Sequence, residues 1–185
     1  MIHIILYHPE IPQNTGNIMR TAVATNSTLH LIKPFGFSLD DKEIKRSSVN
    51  YTHNFTFYIY NSFSEFIEKN QNGIYIFLTR YGLKKHTDLD YSDKNKNYYF
   101  ILGKESTGIP LEILKEHIDT AIRIPMMEDV RALNVSNACA IIIYEALRQQ
   151  NFNDLSIFEP ESLKGKDHIL KWKELNIELL VIWPF

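Results

Sequence analysis

The stretch IHIILYHPEIPQNTGNIMRTA, Ile2–Ala22, holds an apolar run, two prolines and a polar, glycine-containing segment, in that order. Ile2–Tyr7 is short, β-branched and continuous in its hydrophobicity, the pattern of a strand buried on both faces. Pro9 and Pro12 close it and QNTG reads as a turn. Asn14 or Thr15 is placed to cap a helix that runs to about Thr25. A strand passing straight into a helix is the unit from which parallel sheets are assembled. Arg20 stands one turn into that helix, among Ile18, Met19, Ala22 and Val23. Taken alone, it reads as a surface or salt-bridge arginine.

The same unit recurs along the chain. LHLIKP is a second strand ended by Pro34, and FTFYIY a third, followed by a helix capped by Ser62 or Ser64. GIYIFLT (Gly73–Thr79) and YYFILG (Tyr98–Gly103) are two further buried strands, separated by a loop rich in lysine and asparagine around Ser92–Asn97. Pro110 starts a short helix, TAIRIP is a strand, and NVSNACAIIIYEALRQQ carries the strongest helical pattern of all. DDKEIKRSS (Asp40–Ser48) reads as a short helix or ordered loop. Strands alternating with helices predict an α/β fold, a parallel sheet covered on both faces. Residues 1–150 form one domain on this reading. The pattern weakens over 151–185: a linker, NFNDLSIFEPES, then a lysine-rich helix from about Glu161, then the apolar ELLVIWPF.

Composition narrows the function classes. A net charge of −2 excludes a bulk nucleic-acid binder, so any RNA contact must come from local basic patches. A single cysteine, Cys139, excludes an internal disulfide and a cysteine-based zinc site and suits a reducing cytosol. The start MIHIILYHPE has no basic region of a signal peptide, and the longest uncharged apolar run, ACAIIIY, is far too short for a membrane span. The expectation is a cytoplasmic protein. The histidines show no metal-ligand spacing, so no metal is expected.

Three segments place glycine, small polar and charged residues just past strand ends, where α/β proteins bind ligands. They are NTGNIMR, LGKESTGIP and RIPMMEDVRALNVSN. GKESTG has the frame of a phosphate loop, but Ile109 and Pro110 stand where that loop needs lysine and a hydroxyl, and no G-x-G-x-x-G occurs. Cys139 lies in an apolar helix with no histidine near it in sequence, a poor setting for a nucleophile. Each segment also has a purely structural reading: Glu105 as a turn cap, Asn134 and Ser136 as helix caps, Gly16, Gly103 and Gly108 as turn residues.

Together, in order and spacing, NTGNIMR, LGKESTGIP and RIPMMEDVRALNVSNACAIIIYEALRQ resemble the three motifs of the SPOUT RNA methyltransferase superfamily. They are most similar to its small branch that methylates the wobble-nucleotide ribose of tRNA, the cytidine/uridine-34 2′-O-methyltransferases. YHPEIPQNTGNIMR and PFGFSLDDKEIKRSSVNY match that branch as well, and the resemblance covers about Met1–Gln150. It implies a parallel sheet flanked by helices with a C-terminal deep trefoil knot, which generic topology rules would not suggest. It also implies S-adenosylmethionine, bound by Leu78 and Thr79, by Gly103 and Glu105, and by Ile124, Met126, Ala132 and Leu133. Ala132 stands where relatives commonly carry serine.

The implied reaction is attack of a ribose 2′-oxygen on the sulfonium methyl, driven chiefly by alignment and requiring no metal. Arg20, Glu105 and Asn134 are the implied catalytic residues. Arg20 is proposed as base in related enzymes, but a guanidinium stays protonated in proteins, and an electrostatic role on the adjacent phosphate serves equally well. Asn14, Asn17, Arg20, Lys45, Arg46, Ser136 and Tyr144 are the implied substrate contacts, the substrate being a tRNA anticodon stem-loop. A basic face would draw on Lys33, Lys42, Lys45, Arg46, Lys84, Lys85 and Arg148. A homodimer with the site completed across its interface is implied too. The rival readings are a 2′-O-methyltransferase for another tRNA position or for ribosomal RNA, and a silent module that binds RNA or cofactor without turnover.

Overall fold

The structure is a computed structural model and describes residues 1–39, 57–153 and 155–171. The chain divides into two compact units, Met1–Phe152 and Asn153–Phe185. Among the described residues the first unit holds seven strands: β1 (Ile2–Tyr7), β2 (Thr28–Ile32), β3 (Phe57–Tyr60), β4 (Ile74–Leu78), β5 (Lys84–Lys85), β6 (Tyr98–Leu102) and β7 (Ala121–Arg123). Its helices are α1 (Pro12–Ala24), α2 (Phe63–Lys69), α3 (Leu111–Glu116) and α4 (Val135–Gln149), with a 3-10 turn at Ile118–Thr120.

The strands form one sheet in the order β3-β2-β1-β6-β4-β7-β5, every pairing parallel. This is the α/β sheet expected from the alternating pattern. β1 and β6 lie at its centre and are buried at every residue, as strands covered on both faces must be. β3, at the edge, exposes Tyr58 and Ile59. From β1 the chain builds outward through β2 to β3, then returns to fill the other side. The order therefore reverses at the β1/β6 boundary, where open α/β sheets form their ligand crevice.

α1 and α4 pack against each other. α4 buries Ser136, Ala138, Cys139, Ile142, Ile143, Ala146 and Leu147, a spacing that keeps one stripe facing inward. α2 starts as expected from Ser62, whose hydroxyl accepts the Glu65 N–H at 3.1 Å. The start of α1 differs from expectation. It begins at Pro12, with Ile11 as its cap residue and no side-chain cap. QNTG is thus the first turn of the helix, and neither Asn14 nor Thr15 caps it. Proline's fixed φ and missing N–H suit that first position, and Asn14 is left free to bond elsewhere.

A polar cluster sits inside the sheet's core. His3 Nδ1 lies 3.0 Å from His30 Nε2, and His30 Nδ1 lies 2.9 Å from the Tyr60 hydroxyl. The rings of Tyr99, Phe66 and Tyr60 surround the pair. Burial lowers His3 to about 4 and His30 to about 3, so both are neutral at ordinary pH.

In the second unit, turns occupy 161–164 and helix begins at 168, not at Glu161 as the sequence suggested. Gly165, at φ 76°, closes the intervening turn by donating to the Pro160 carbonyl. The polar stretch Asp40–Ser48 and the apolar ELLVIWPF lie outside the described residues.

Candidate active site

The three polar segments meet at the C-terminal edge of the sheet, following β1, β6 and β7. They enclose a cleft of about 510 Å³, within the ordinary size of small-molecule sites. All eight residues expected to hold the cofactor line it: Leu78, Thr79, Gly103, Glu105, Ile124, Met126, Ala132 and Leu133. With Ile11 and Asn14 of the first polar segment and the residues that follow β4, four parts of the chain far apart in sequence supply the lining.

The loop after β6 is built for close approach. Lys104 and Gly108 pair as an antiparallel bridge, and Gly108 takes the left-handed backbone, φ 76°, that favours glycine. A Cβ on Gly103 would stand 2.3 Å from the carbonyl carbon of Gly108. Only glycine lets the two ends of this turn touch, and the backbone so exposed faces the cleft.

A chain of hydrogen bonds joins the three segments. Glu105 Oε1 accepts from Asn14 Nδ2 at 3.1 Å, and Asn14 Oδ1 accepts from Asn134 Nδ2 at 2.9 Å. Asn134 Oδ1 in turn accepts from the Ser136 N–H at 2.9 Å and the Ser136 hydroxyl at 2.6 Å. Asn134 therefore does two things: it caps α4 and it donates across to Asn14. The amide orientations follow from this network, because each carboxamide oxygen faces donors and each nitrogen faces an acceptor.

Other expected residues stand apart from the cleft wall. Arg20 and Asn17 are on the exposed side of α1. Arg20 makes no hydrogen bond or ion pair with any described residue and stands as a surface arginine. Ser136 is buried behind Asn134, and Tyr144 is 46% exposed on α4. Lys45 and Arg46, like Lys42, lie outside the described residues. Three of the other expected cations face acids: Arg148 pairs with Glu145 at 2.8 Å, Lys85 with Asp88 at 3.3 Å and Lys84 with Asp119 at 4.0 Å. Cys139 is fully buried and burial pushes its thiol well above the usual range, which removes it as a nucleophile.

The structure adds residues that the sequence did not single out. Arg80, Lys104, Arg123 and Arg131 all line the cleft. Arg80 lies over the Tyr81 ring at 4.7 Å, and Arg123 Nη1 donates to the Arg80 carbonyl at 2.9 Å. Lys104, Arg123 and Arg131 fall inside two of the quoted polar segments, and Arg80 follows the end of β4. His8, at φ 50°, turns the chain sharply as β1 ends, and burial lowers its pKa, with a smaller contribution from Lys104.

An open parallel sheet with its cleft at a topological switch point, rimmed by cations and crossed by one carboxylate–amide network, defines a ligand-binding α/β enzyme. Residues 1–144 match the SpoU rRNA Methylase family, and the chain belongs to that family. A candidate tRNA (cytidine(34)-2′-O)-methyltransferase of Geobacillus stearothermophilus is 50% identical over 155 residues, which are 84% of this chain and 99% of that one. The tRNA (cytidine(34)-2′-O)-methyltransferase of Escherichia coli K12 is 39% identical over 154 residues, 82% of this chain and 96% of its own. A solved structure described by its work on 2-OH methylation of C/U34 on tRNA is 34% identical, with a TM-score of 0.76 across 83% of this chain and 98% of that chain. Among the described residues no three His, Cys, Asp or Glu side chains gather as a metal site, and no helix is long and apolar enough to cross a membrane.

Proposed function

We propose that this chain transfers a methyl group from S-adenosylmethionine to the ribose 2′-oxygen of the wobble nucleotide, position 34, of a tRNA. The observation that carries this reading is the Glu105–Asn14–Asn134 network, which ties three separate motifs to one cleft in a chain whose relatives are named for that activity. The residues present fit the cofactor. Leu78, Leu102, Ile109, Ile124 and Leu133 give an apolar wall for a purine, and the exposed backbone of 103–108 offers the donors and acceptors that read its edge. When bound, the sulfonium supplies a methyl already activated for displacement.

The remaining work falls to the protein's own groups. Asn14 and Asn134, fixed by Glu105, hold the first and third segments at a set distance, and alignment is the main source of rate in a displacement of this kind. Arg20 is exposed and unpaired among the described residues, available to an RNA phosphate or to the 2′-oxygen itself. A guanidinium keeps its proton, so we assign Arg20 to stabilising the negative charge that develops on that oxygen. Arg80, Lys104, Arg123 and Arg131 supply the local basic rim that an overall acidic chain needs to hold RNA. The exposed face of α4, with Ile141 at 39% and Tyr144 at 46%, fits contact with a second copy, which would bring a second face to the site. The trefoil knot belongs to the same reading.

Nucleoside mass spectrometry of tRNA from cells lacking the protein tests the proposal. Loss of one ribose-methylated wobble nucleotide is expected, with restoration by the intact gene. An unchanged tRNA profile, or a loss confined to ribosomal RNA, would overturn it. Light scattering on the purified protein checks the second copy: a mass near twice 21.7 kDa is expected.

A further inference from the structure

We propose that Glu10 is a positioning residue for the cofactor loop, a clamp that fixes residues 103–108 against the start of α1. The proposal rests on the methyltransferase reading for its effect on cofactor and on geometry alone for the clamp.

Glu10 and the loop hold each other from both sides. The Glu10 carboxylate accepts the Ser106 N–H at 2.9 Å on Oε2 and the Ser106 hydroxyl at 2.9 Å on Oε1. The Glu10 N–H donates back to Glu105 Oε2 at 2.9 Å. Two adjacent loop residues thus grip one residue of the β1–α1 connection, and Glu105's other oxygen takes Asn14. The loop is a closed hairpin, since Lys104 and Gly108 exchange both backbone hydrogen bonds, at 3.2 and 2.9 Å. Fixing Ser106 near its tip therefore fixes the loop as a unit.

Glu10 itself has little freedom to retreat. Gly36 N–H donates to the Pro9 carbonyl at 2.9 Å, and a Cβ at Gly36 would stand 2.7 Å from the Glu10 Cα. Gly36 is therefore packed directly behind Glu10, and glycine is required there by that contact. The hydroxyl and N–H of Ser106 hold the Glu10 carboxyl below its ordinary pKa, consistent with a charged acceptor. Because the grip lies at the solvent edge, water replaces it when it is cut, and the fold survives while the loop's position does not.

The test compares the intact chain with Glu10→Ala and Glu10→Gln. Hydrogen exchange over Gly103–Ile109 is expected to quicken about tenfold in Glu10→Ala, as loss of a local closing interaction predicts. Glu10→Gln should stay within about threefold, since its amide oxygen accepts the Ser106 N–H and its nitrogen donates to the hydroxyl. Binding of S-adenosylhomocysteine should weaken about tenfold in Glu10→Ala and be restored in Glu10→Gln, while kcat at saturating cofactor changes less than about threefold. Unchanged exchange, unchanged binding, a fall in kcat alone, or faster exchange spread through β1 and β6 would each overturn the proposal. If the wild-type chain neither binds S-adenosylhomocysteine nor methylates tRNA, the methyltransferase reading fails, and the exchange data alone decide the clamp.

Discussion

Arg20 leaves α1 toward solvent with no partner among the described residues, so its charge is available to a ligand that reaches this face. Removing it should cost the fold little, because it buries nothing and breaks no bond. Removing it should cost turnover a great deal: Arg20→Ala is expected to lower kcat by about 10²–10³-fold, the usual loss of one donor to a developing oxyanion. Arg20→Lys should recover only part of this, since an ammonium lacks the planar fork. Methylation assays on tRNA beside thermal unfolding separate the two effects, and an active Arg20→Ala protein would refute the assignment. At this scale the sequence was readable where a residue sits inside a motif that resembles a known family. Glu105 and Asn134 were singled out by that resemblance, since taken alone each also reads as a cap. Glu10 and Ser106 were not, because their meaning lies in a pairing across 96 positions that no local pattern reports.

α4 shows how one residue can serve both its element and the site. Asn134 accepts from the Ser136 and Asn137 N–H groups and donates to Asn14, so the cap reading holds and the same side chain also joins the network that lines the cleft. The two uses can be separated. Asn134→Ala should lose about 1 kcal/mol of stability with the cap and lose turnover as well. Asn134→Asp should keep the cap, since a carboxylate accepts the same bonds, yet lose turnover because it has no N–H for Asn14 and adds a second charge near Glu105. Chemical denaturation and methylation assays on both variants read this directly; equal turnover in wild type and Asn134→Asp would show that the Asn14 bond is idle. Long apolar strands and the long helix were legible because periodicity integrates over many residues. β5 was not, having two lysines and no pattern. The start of α1 was misread because QNTG has the composition of a turn, and Pro12 immediately before it overrides that composition by opening the helix.

For the molecule as a whole, the buried His3–His30 pair couples stability to pH. Both folded pKa values, about 4 and about 3, lie below the ordinary histidine value of 6.5. Between those limits the unfolded chain takes up protons that the folded chain refuses. Stability is therefore complete above about pH 6.5 and falls as pH drops toward 4, with a slope of up to about 1.4 kcal/mol per pH unit for each histidine. Unfolding free energies measured from pH 7.5 to 4.5 should show this slope, and His30→Phe should flatten it whatever it does to stability at pH 7. The sheet order that places this pair was beyond the sequence, since strand neighbours such as β1 and β6 are nearly a hundred residues apart. The single cysteine has a different consequence. With Cys139 sealed inside α4 and its thiolate disfavoured, the folded protein should present no titratable thiol to Ellman's reagent until it is denatured. That silence makes the wild-type chain a blank background for labelling: one cysteine introduced at the exposed Thr107 would carry a fluorophore or spin label alone, and would report the loop's motion as ligand enters.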